Sequence, residues 1–276
     1  MSAAPLAGVR VGYLEKPHPP GHRGLCAQLV PMLGAAGAAV DVVHAEVGLH
    51  RLDLRPAWDL VVLKSGSPAA LHLAAAAEGW GLPCVNSSAA TRLAQDRLSA
   101  ILLLQQAGLP VPCSRAVWLD PERPPEPAAF GGSALVVKAA RGSQGQGIWP
   151  VQAAGLAGLV ARLPAGPYLV MAQVAHEGHD LKVYAAGGWM TAIRRPFPAP
   201  RLEDKLGTPA TLPAEVARVT SEVGSLLGLT CWGCDFVCGP DGWVLVDVNA
   251  FPGYKGARGA ATALLDEIVR SVQAGS

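Results

Sequence analysis

The sequence predicts an α/β protein whose C-terminal part is α+β. Strand-like and helix-like segments alternate near the N-terminus, with a strand at residues 8–14, a helix at 25–38 and a strand at 39–43. Half of the 276 residues are hydrophobic and only 16% are charged, which is typical of a chain that folds around compact cores. Towards the C-terminus, two strand-like segments flank the turn sequence Pro240-Asp241-Gly242 and predict an antiparallel hairpin.

The first part of the chain is expected to form one small α/β domain. After the strand at 39–43, the alternation continues with a strand at 60–64, a helix at 68–79 and a strand at 83–86. Right-handed crossovers between such strands produce a parallel sheet with helices on its faces. We therefore predict an N-terminal α/β domain at residues 1–88.

The rest of the chain is predicted to contain two more domains. Apolar residues recur at helical spacing from residue 89 to residue 106, and Gly108-Leu109-Pro110 ends that helix. Beyond it we expect a central domain at 89–170 and a C-terminal domain at 171–276. Their strands are predicted at 116–119, 134–138, 168–171, 181–187, 189–195 and in the hairpin.

The charge balance disfavours two classes of partner. Lys and Arg total 22 against 21 Asp and Glu, so no overall field attracts the protein to nucleic acid or to a membrane surface. The N-terminal sequence lacks a charged segment followed by a long apolar core, and we therefore expect a cytoplasmic protein. The six cysteines lie in apolar segments of a chain too long to need disulfide staples, so we expect reduced thiols.

The predicted hairpin places oxygen-bearing side chains on one face. With a three-residue turn, Gly239 lies opposite Trp243 and Asp235 opposite Asp247, and Asn249 follows on the same face. Carboxylate and amide oxygens are ligands that Mg²⁺ or Mn²⁺ prefers. A solvated strand pair that carries acids by chance is the alternative. The other face is predicted to be apolar, with Cys234, Phe236, Cys238, Val244, Val246 and Val248.

A glycine-rich segment follows the strand that ends at Lys138. In Gly142-Ser143-Gln144-Gly145-Gln146-Gly147, three glycines allow backbone amides to approach an anion, and Lys138 could reach a phosphate. The segment is not a Walker A motif, because no glycine is followed by Lys and then Ser or Thr. A phosphate-covering loop and a plain surface hairpin are both compatible with this pattern.

Charged residues also end two neighbouring strands. Asp180 and Lys182 share a face, and Arg194 and Arg195 end the strand predicted beside them. Arginine there could bind an acyl phosphate or a carboxylate through a two-pronged hydrogen bond. Arginines that are merely exposed at a strand end are the alternative.

Five motifs occur in a fixed order along the chain. They are Asp96-Arg97 with the helix end at Ala107-Gly108-Leu109-Pro110-Val111-Pro112, Lys138 with its glycine-rich segment, Gly178-His179-Asp180-Leu181-Lys182-Val183, Gly233-Cys234-Asp235, and Asp247-Val248-Asn249-Ala250-Phe251-Pro252-Gly253. In this order, from about Asn86 to Gly256, the chain resembles the RimK-type ATP-grasp enzymes. Arg97 stands where that family more often has lysine.

The resemblance implies an ATP-grasp fold with an N-terminal parallel α/β domain, a central lid domain and a C-terminal antiparallel-sheet domain. ATP would lie between two sheets, and Asp235, Asp247 and Asn249 would hold two Mg²⁺ ions, or Mn²⁺, on its phosphates. The other matched residues would bind the nucleotide: Arg97 and Lys138 at phosphates, Gly142, Ser143, Gln144, Gly145 and Gly147 in the covering loop, Ala172, Gln173 and Val174 at adenine, Asp180 near ribose or substrate, and Lys182 near the phosphates or the acceptor.

The activity implied by the resemblance is ATP-dependent ligation of a carboxylate to an amine through an acyl phosphate, with release of ADP and phosphate. Catalytic roles would belong to Lys182, Arg194 and Arg195. We expect a small anionic or amino-acid-like substrate and no nucleic-acid or membrane partner, and a homo-oligomer is compatible with the sequence. Candidates for the substrate pocket are Lys16, His18, His22, Arg23, Lys64, Lys205, Lys255 and Arg258.

Two alternatives to the ligase stay open. Inositol polyphosphate kinases of the same fold carry Asp at the position of Asp247, where ligases usually carry Glu, and the step Arg195-Pro196 also resembles them. The glycine-rich segment is ligase-like, but residues 196–211 lack the usual Asn followed by paired glycines. A nucleotide-binding regulator without turnover is the second alternative.

Overall fold

The protein contains three β-sheets in a computed structural model that describes residues 4–18, 24–48, 50–130, 132–141, 147–199, 201 and 203–275. The predicted mixture of parallel and antiparallel sheet is confirmed. One sheet is parallel and the other two are antiparallel. Among the described residues, no helix has the length and apolar character that a membrane crossing requires.

The parallel sheet is formed by the N-terminal part of the chain, with strand order β2-β1-β3-β4. Strand β3 is an unbroken run of buried aliphatic residues, as expected for a strand covered on both faces. The helix predicted at 68–79 is confirmed, and the Ser67 hydroxyl caps it by accepting the amide hydrogen of Ala70. The elements are β1 Arg10–Leu14, α1 Cys26–Ala35, β2 Ala39–Val43, β3 Leu60–Leu63, α2 Pro68–Gly79 and β4 Cys84–Val85.

The single helix predicted at 89–106 is wrong, because the structure has two helices there. Helix α3 spans Ser88–Gln95 and α4 spans Arg97–Gln106. Asp96 between them is extended, and its carboxylate accepts the amide hydrogens of Leu98 and Ser99. This N-cap starts a new helix in the middle of a continuous apolar pattern. It also places Arg97 in the first turn of α4.

The second sheet is antiparallel and has the strand order β5-β8-β6-β7. One of its faces packs against the short helix α5 and a 3₁₀ turn at Pro127–Phe130, around Phe130, Leu135 and Leu156. Strand β6 ends next to Lys138, at the start of the glycine-rich segment. The elements are β5 Ser114–Leu119, β6 Ala134–Ala139, β7 Ile148–Gln152, α5 Leu156–Val160 and β8 Gly166–Ala172.

The third sheet has five antiparallel strands in the order β11-β10-β9-β12-β13. Helix α6 packs on one face through Val216, Val219 and Val223, together with Trp232 and Phe236 of the sheet. The opposite face carries the charged residues described below. The elements are β9 His179–Ala186, β10 Trp189–Pro196, β11 Thr208–Ala210, α6 Ala214–Leu227, β12 Cys231–Gly239, β13 Gly242–Ala250 and α7 Ala260–Gly275.

The hairpin between β12 and β13 differs from the prediction in its turn. Gly239 pairs with Gly242, so the turn is one residue shorter than expected, and Cys238 lies opposite Trp243. A bulge at Val246 then adds one residue to β13. The two differences cancel, and Asp235 lies opposite Asp247 as predicted.

The bulge also changes which residues of the hairpin face the core. Leu245 and Trp243 pack with Phe236 in the core beneath α6, where Val246 and Val244 were expected. Cys238 of β12, also predicted to be buried, is exposed next to the turn, and the bulge on β13 does not change the face to which it belongs. Side chains alternate along a regular strand, and an extra residue reverses that alternation on the far side of the bulge.

The parallel sheet is attached directly to the five-stranded sheet. The Asn86 side-chain oxygen accepts hydrogen bonds from the amides of Thr230 and Cys231, and its amide donates to the Cys231 carbonyl at 2.7 Å. The two sheets also share a hydrophobic core, to which the N-terminal part contributes Tyr13 and Leu29 and the five-stranded sheet contributes Ile193. The charged face therefore lies close to the carboxyl ends of the parallel strands.

Candidate functional site

Four neighbouring strands of the five-stranded sheet contribute charged and amide side chains to one face. The strand registers place Asp180 opposite Arg195, Lys182 opposite Asp235, and Asp235 opposite Asp247. Directly paired residues of antiparallel strands point to the same side of a sheet. We call this set the charged face, and its members are Asp180, Lys182, Arg195, Asp235, Asp247 and Asn249.

Asp235 lies at the centre of the charged face. Its Oδ1 atom is 2.6 Å from Nζ of Lys182 and 3.4 Å from Nη2 of Arg195. The side chains of Lys182 and Asp235 are only 8% and 14% exposed, so water screens their attraction weakly. Two cations thus share one carboxylate at the sheet surface.

Arg195 is held by a second carboxylate. Its Nε atom donates to Oδ1 of Asp180 at 2.9 Å, and its Nη2 atom donates to Oδ2 of the same residue. Burial lowers the pKa of Arg195, but the hydrogen bonds to Asp180 and the charge of Asp235 outweigh burial and raise that pKa above its ordinary value. The guanidinium is therefore charged at any physiological pH.

Both oxygens of Asp180 are engaged by Arg195, and the Asp180 side chain is fully buried. Burial raises the pKa of this carboxyl group, against the opposing effect of the arginine. The structure therefore places Asp180 against Arg195, and its position near ribose or substrate stays a prediction.

Asp235, Asp247 and Asn249 form the part of the charged face that can hold a cation. Asn249 Nδ2 lies 3.4 Å from Oδ2 of Asp247, and Asn249 pairs in register with Gly233, where an added Cβ atom would lie 3.1 Å from Cγ of Pro252. Within the described ranges, no group of three or more His, Cys, Asp and Glu residues could hold a metal. Two carboxylates and an amide form an all-oxygen set, and this set fits Mg²⁺ or Mn²⁺ better than a soft metal.

Lys138 reaches the charged face from the second sheet. Its Nζ atom donates to the Val246 carbonyl at 2.7 Å, at the bulge. Burial lowers the pKa of Lys138, and the negative charge of Asp247 acts in the opposite direction. The bulge thus exposes a carbonyl that positions this lysine next to the proposed metal ligands.

Arg97 lies beside Lys138 at the start of the glycine-rich segment. Its amide donates to the Ala140 carbonyl at 3.0 Å, and its guanidinium donates to the Ala139 carbonyl at 2.9 Å. Gly147 follows with a φ of 69°, a conformation that glycine adopts without strain. The predicted loop residues Gly142, Ser143, Gln144 and Gly145 lie outside the described residues.

Two of the residues predicted to bind adenine have backbone amides that already donate hydrogen bonds to other backbone carbonyls. The Ala172 amide donates to the Cys113 carbonyl and the Gln173 amide donates to the Ala134 carbonyl, each at 2.9 Å. Val174 follows and packs closely over Gly239, where a Cβ atom would lie 3.1 Å from its Cγ1. Of the three, Val174 lies directly beside the five-stranded sheet.

Arg194 is not brought to the charged face. It neighbours Arg195 on β10, pairs in register with Thr208 of β11, and is exposed. Alternate residues of a strand point to opposite sides. The structure therefore separates Arg194 from Lys182 and Arg195, with which it was predicted to act.

A second group of charges lies at the carboxyl ends of β1 and β3. Lys64 Nζ donates to the Phe251 carbonyl at 3.0 Å, and burial lowers the pKa of Lys64 while the charge of Glu15 raises it. Glu15 is 5% exposed and lies 3.1 Å from Nε2 of His18. The charges of Lys16 and Lys255 also act on Lys64.

Glu15 is the residue of this group that the sequence analysis missed. It directly follows the buried strand β1, which is the signal that could have identified it, because ligand-binding side chains gather at the carboxyl ends of parallel strands. Lys205 lies near enough to lower the pKa of Lys255, and Arg258 is exposed. His22 and Arg23 lie outside the described residues.

Comparison with known proteins shows that the chain is similar to a group of ligases. No protein-family model matches the chain. It is 26% identical to a probable alpha-L-glutamate ligase of Methanococcoides burtonii, over 72% of this chain and 70% of that protein. It is 25% identical to the ribosomal protein bS6–L-glutamate ligase of Salmonella schwarzengrund, over 83% of this chain and 81% of that protein.

Solved structures show the same fold. A RimK-domain ATP-grasp protein of Sphaerobacter thermophilus aligns with a TM-score of 0.75 and 20% identity, over 94% of this chain and 98% of that one. The ATP-grasp ligase PsnB, solved with a minimal precursor, Mg and ADP, aligns with a TM-score of 0.66 and 21% identity, over 95% of this chain and 98% of that one. The chain therefore has the ATP-grasp fold of these structures and is similar in sequence to the glutamate ligases.

Proposed function

We propose that the protein is an ATP-dependent carboxylate–amine ligase. The substrate carboxylate would take the γ-phosphoryl group of ATP, and an amine would then displace phosphate from the acyl phosphate to form an amide. The observation that carries this proposal is the charged face, where two carboxylates and an amide lie beside Lys182, Arg195 and Lys138. The ligase names of the relatives support the same reaction class.

The nucleotide site would lie between the second sheet and the charged face. Arg97 and Lys138 would bind phosphates, because both cations lie where β6 meets the bulge of β13. Asp235, Asp247 and Asn249 would hold Mg²⁺, which we propose as two ions, with Mn²⁺ as a possible substitute. When bound, the metal would neutralise charge on the phosphates.

Lys182 and Arg195 would stabilise the charge that develops during phosphoryl transfer. Each lies on the charged face within 3.4 Å of Asp235, and a guanidinium can bind phosphoryl or carboxylate oxygens in pairs. Because these cations are already fixed in place, little reorganisation is needed when negative charge develops beside them. Arg194, on the opposite side of β10, has no such role in this proposal.

The substrate would bind where the carboxyl ends of β1 and β3 approach the charged face. Lys16, Lys64 and Lys255 lie near one another there, and Glu15 lies beside them. This mixture suits a small anionic or amino-acid-like substrate. The domain boundaries, a cytoplasmic location and a homo-oligomeric state also stay predictions.

Turnover of the pure protein tests the proposal. Incubation with ATP, Mg²⁺ and pooled amino acids is expected to release ADP and free phosphate, and hydroxylamine should trap the acyl phosphate as a hydroxamate. Asp247→Ala and Asn249→Ala are each expected to abolish this turnover. Phosphate retained on an organic product would instead indicate a kinase, and ATP binding without turnover would indicate a regulator.

A further inference from the structure

We propose that Asp180 is a positioning residue for Arg195, and that it fixes the guanidinium beside Asp235 without letting it cover that carboxylate. This inference rests on the proposed function, because it concerns how a residue of the ligase site is oriented. Asp180 would not contact ATP or the substrate. It would act only through Arg195.

The first observation is the geometry of the pair. Both oxygens of Asp180 accept hydrogen bonds from Arg195, through Nε and Nη2, and the register of β9 and β10 places the two residues directly opposite each other. A two-pronged hydrogen bond fixes the plane of a guanidinium as well as its distance. Asp180 thereby determines where Arg195 points.

The second observation is burial. The Asp180 side chain is 0% exposed, whereas that of Arg195 is 13% exposed. An unpaired buried carboxylate lowers the free energy of unfolding, so Asp180 is expected to keep its hydrogen bonds to Arg195. The third nitrogen of the guanidinium, Nη1, takes no part in the pair, and Arg195 can therefore hold Asp180 and still face the site.

The third observation is the distance to Asp235. Nη2 of Arg195 lies 3.4 Å from Oδ1 of Asp235, which already binds Lys182 at 2.6 Å. If Asp180 were removed, the nearest carboxylate to Arg195 would be Asp235, and the arginine would be expected to pair with it fully. That movement would both misplace Arg195 and block a proposed metal ligand.

A double-mutant cycle separates positioning from a structural role. Asp180→Ala is expected to lower kcat by roughly 10- to 100-fold, because a misplacement of about 1 Å costs that much, with a small change in the KM for ATP. In an Arg195→Ala background, the same substitution should change kcat less than about threefold, since Asp180 acts only through Arg195. An equal loss in both backgrounds would overturn the proposal.

Two measurements test the proposal without turnover, so a failure of the proposed ligase activity can be distinguished from a failure of this inference. The Arg195 Nε–H resonance in an NMR spectrum should be protected from exchange in the wild type and lose protection in Asp180→Asn. Mn²⁺ should bind more weakly to Asp180→Asn, and Arg195→Ala should restore that binding. An Arg195 signal unchanged by Asp180→Asn would contradict the inference, and the conservative variant Asp180→Glu should keep part of the protection.

Discussion

At the scale of single residues, both cations of the charged face are paired with carboxylates before any ligand is bound. Asp235 lies beside Lys182 and Arg195, and Asp180 binds Arg195. Such preorganised charges need little rearrangement when a phosphoryl group enters, because the protein has already positioned its dipoles and ions. The cost is burial of several charges on one surface of a sheet.

The lowered pKa of Lys138 gives a prediction about pH. Burial is the main cause of the lowering, so the amine loses its proton below the ordinary lysine value of 10.5. Phosphate favours the protonated form, and ATP binding should therefore weaken as pH rises through the lowered pKa. Calorimetric titration across about pH 7 to 10 should show this weakening for the wild type and a much smaller one for Lys138→Met. If the ratio of the ATP affinities of the wild type and Lys138→Met were constant across this pH range, the assignment of Lys138 to a phosphate would be contradicted.

At the scale of secondary structure elements, the hairpin shows what the sequence could and could not predict. Counting from a three-residue turn predicted that Asp235 lies opposite Asp247, and this pairing is confirmed although the turn is shorter than expected. The shorter turn and the bulge at Val246 were not predictable, because a bulge is one extra residue without a strong sequence signal. The break between α3 and α4 had one sequence signal, the N-cap residue Asp96. The continuous apolar spacing on both sides of Asp96 obscured that signal.

A pair of glycine substitutions tests how α6 packs on the five-stranded sheet. A Cβ atom at Gly224 would lie 2.4 Å from Cζ2 of Trp232, whose Nε1 is fixed by donation to the Thr220 carbonyl at 3.1 Å. Gly224→Ala is therefore expected to lower the free energy of unfolding by about 1–3 kcal/mol, despite the better helix propensity of alanine.

Gly34 of α1 is the matched control for this substitution. Among the described residues, no atom beyond its own helix and chain neighbours lies within 4 Å of a Cβ added there. Gly34→Ala should raise the free energy of unfolding by about 0.5–1 kcal/mol. Urea denaturation of both variants measures the difference, and stabilisation by Gly224→Ala would refute the close packing.

At the scale of the whole molecule, contacts distant in sequence bring the parallel sheet to the charged face. Asn86 reaches Cys231 across 145 residues, and Lys64 reaches Phe251 across 187. No local pattern encodes such contacts, so sequence analysis predicted most strands of each sheet, though not β7 and β11, and did not predict how the sheets meet. The ordered motifs carried more information about the site than periodicity did, because they include residues of both antiparallel sheets and of the start of α4.

Buried thiols in this assembled core predict how stability depends on pH. Burial raises the pKa of Cys231 and of Cys234 far above the ordinary thiol value. In the unfolded chain these thiols ionise first, at about pH 8.5, so the unfolded state binds fewer protons than the folded state above that pH. Stability should then fall by up to about 1.4 kcal/mol per pH unit for each thiol.

Urea denaturation at about pH 8 and pH 10 measures this dependence. Cys231→Ala should reduce the loss of stability between the two pH values, although the variant itself is somewhat less stable. Cys113→Ala removes an exposed thiol and serves as the control, with the loss expected to remain that of the wild type. If Cys231→Ala left the loss unchanged, the burial of this thiol would not be a cause of the loss of stability at alkaline pH.

The most direct test of the account is Mn²⁺ binding in the presence of a non-hydrolysable ATP analogue, followed by electron paramagnetic resonance. The wild type is expected to bind the ion, and Asp247→Asn should weaken binding by about tenfold or more, since it removes a charged oxygen ligand. Asp241→Asn makes the same chemical change in the exposed turn of the same hairpin and should leave binding intact. Equal binding by the wild type and Asp247→Asn would contradict the assignment of the charged face as the metal and nucleotide site.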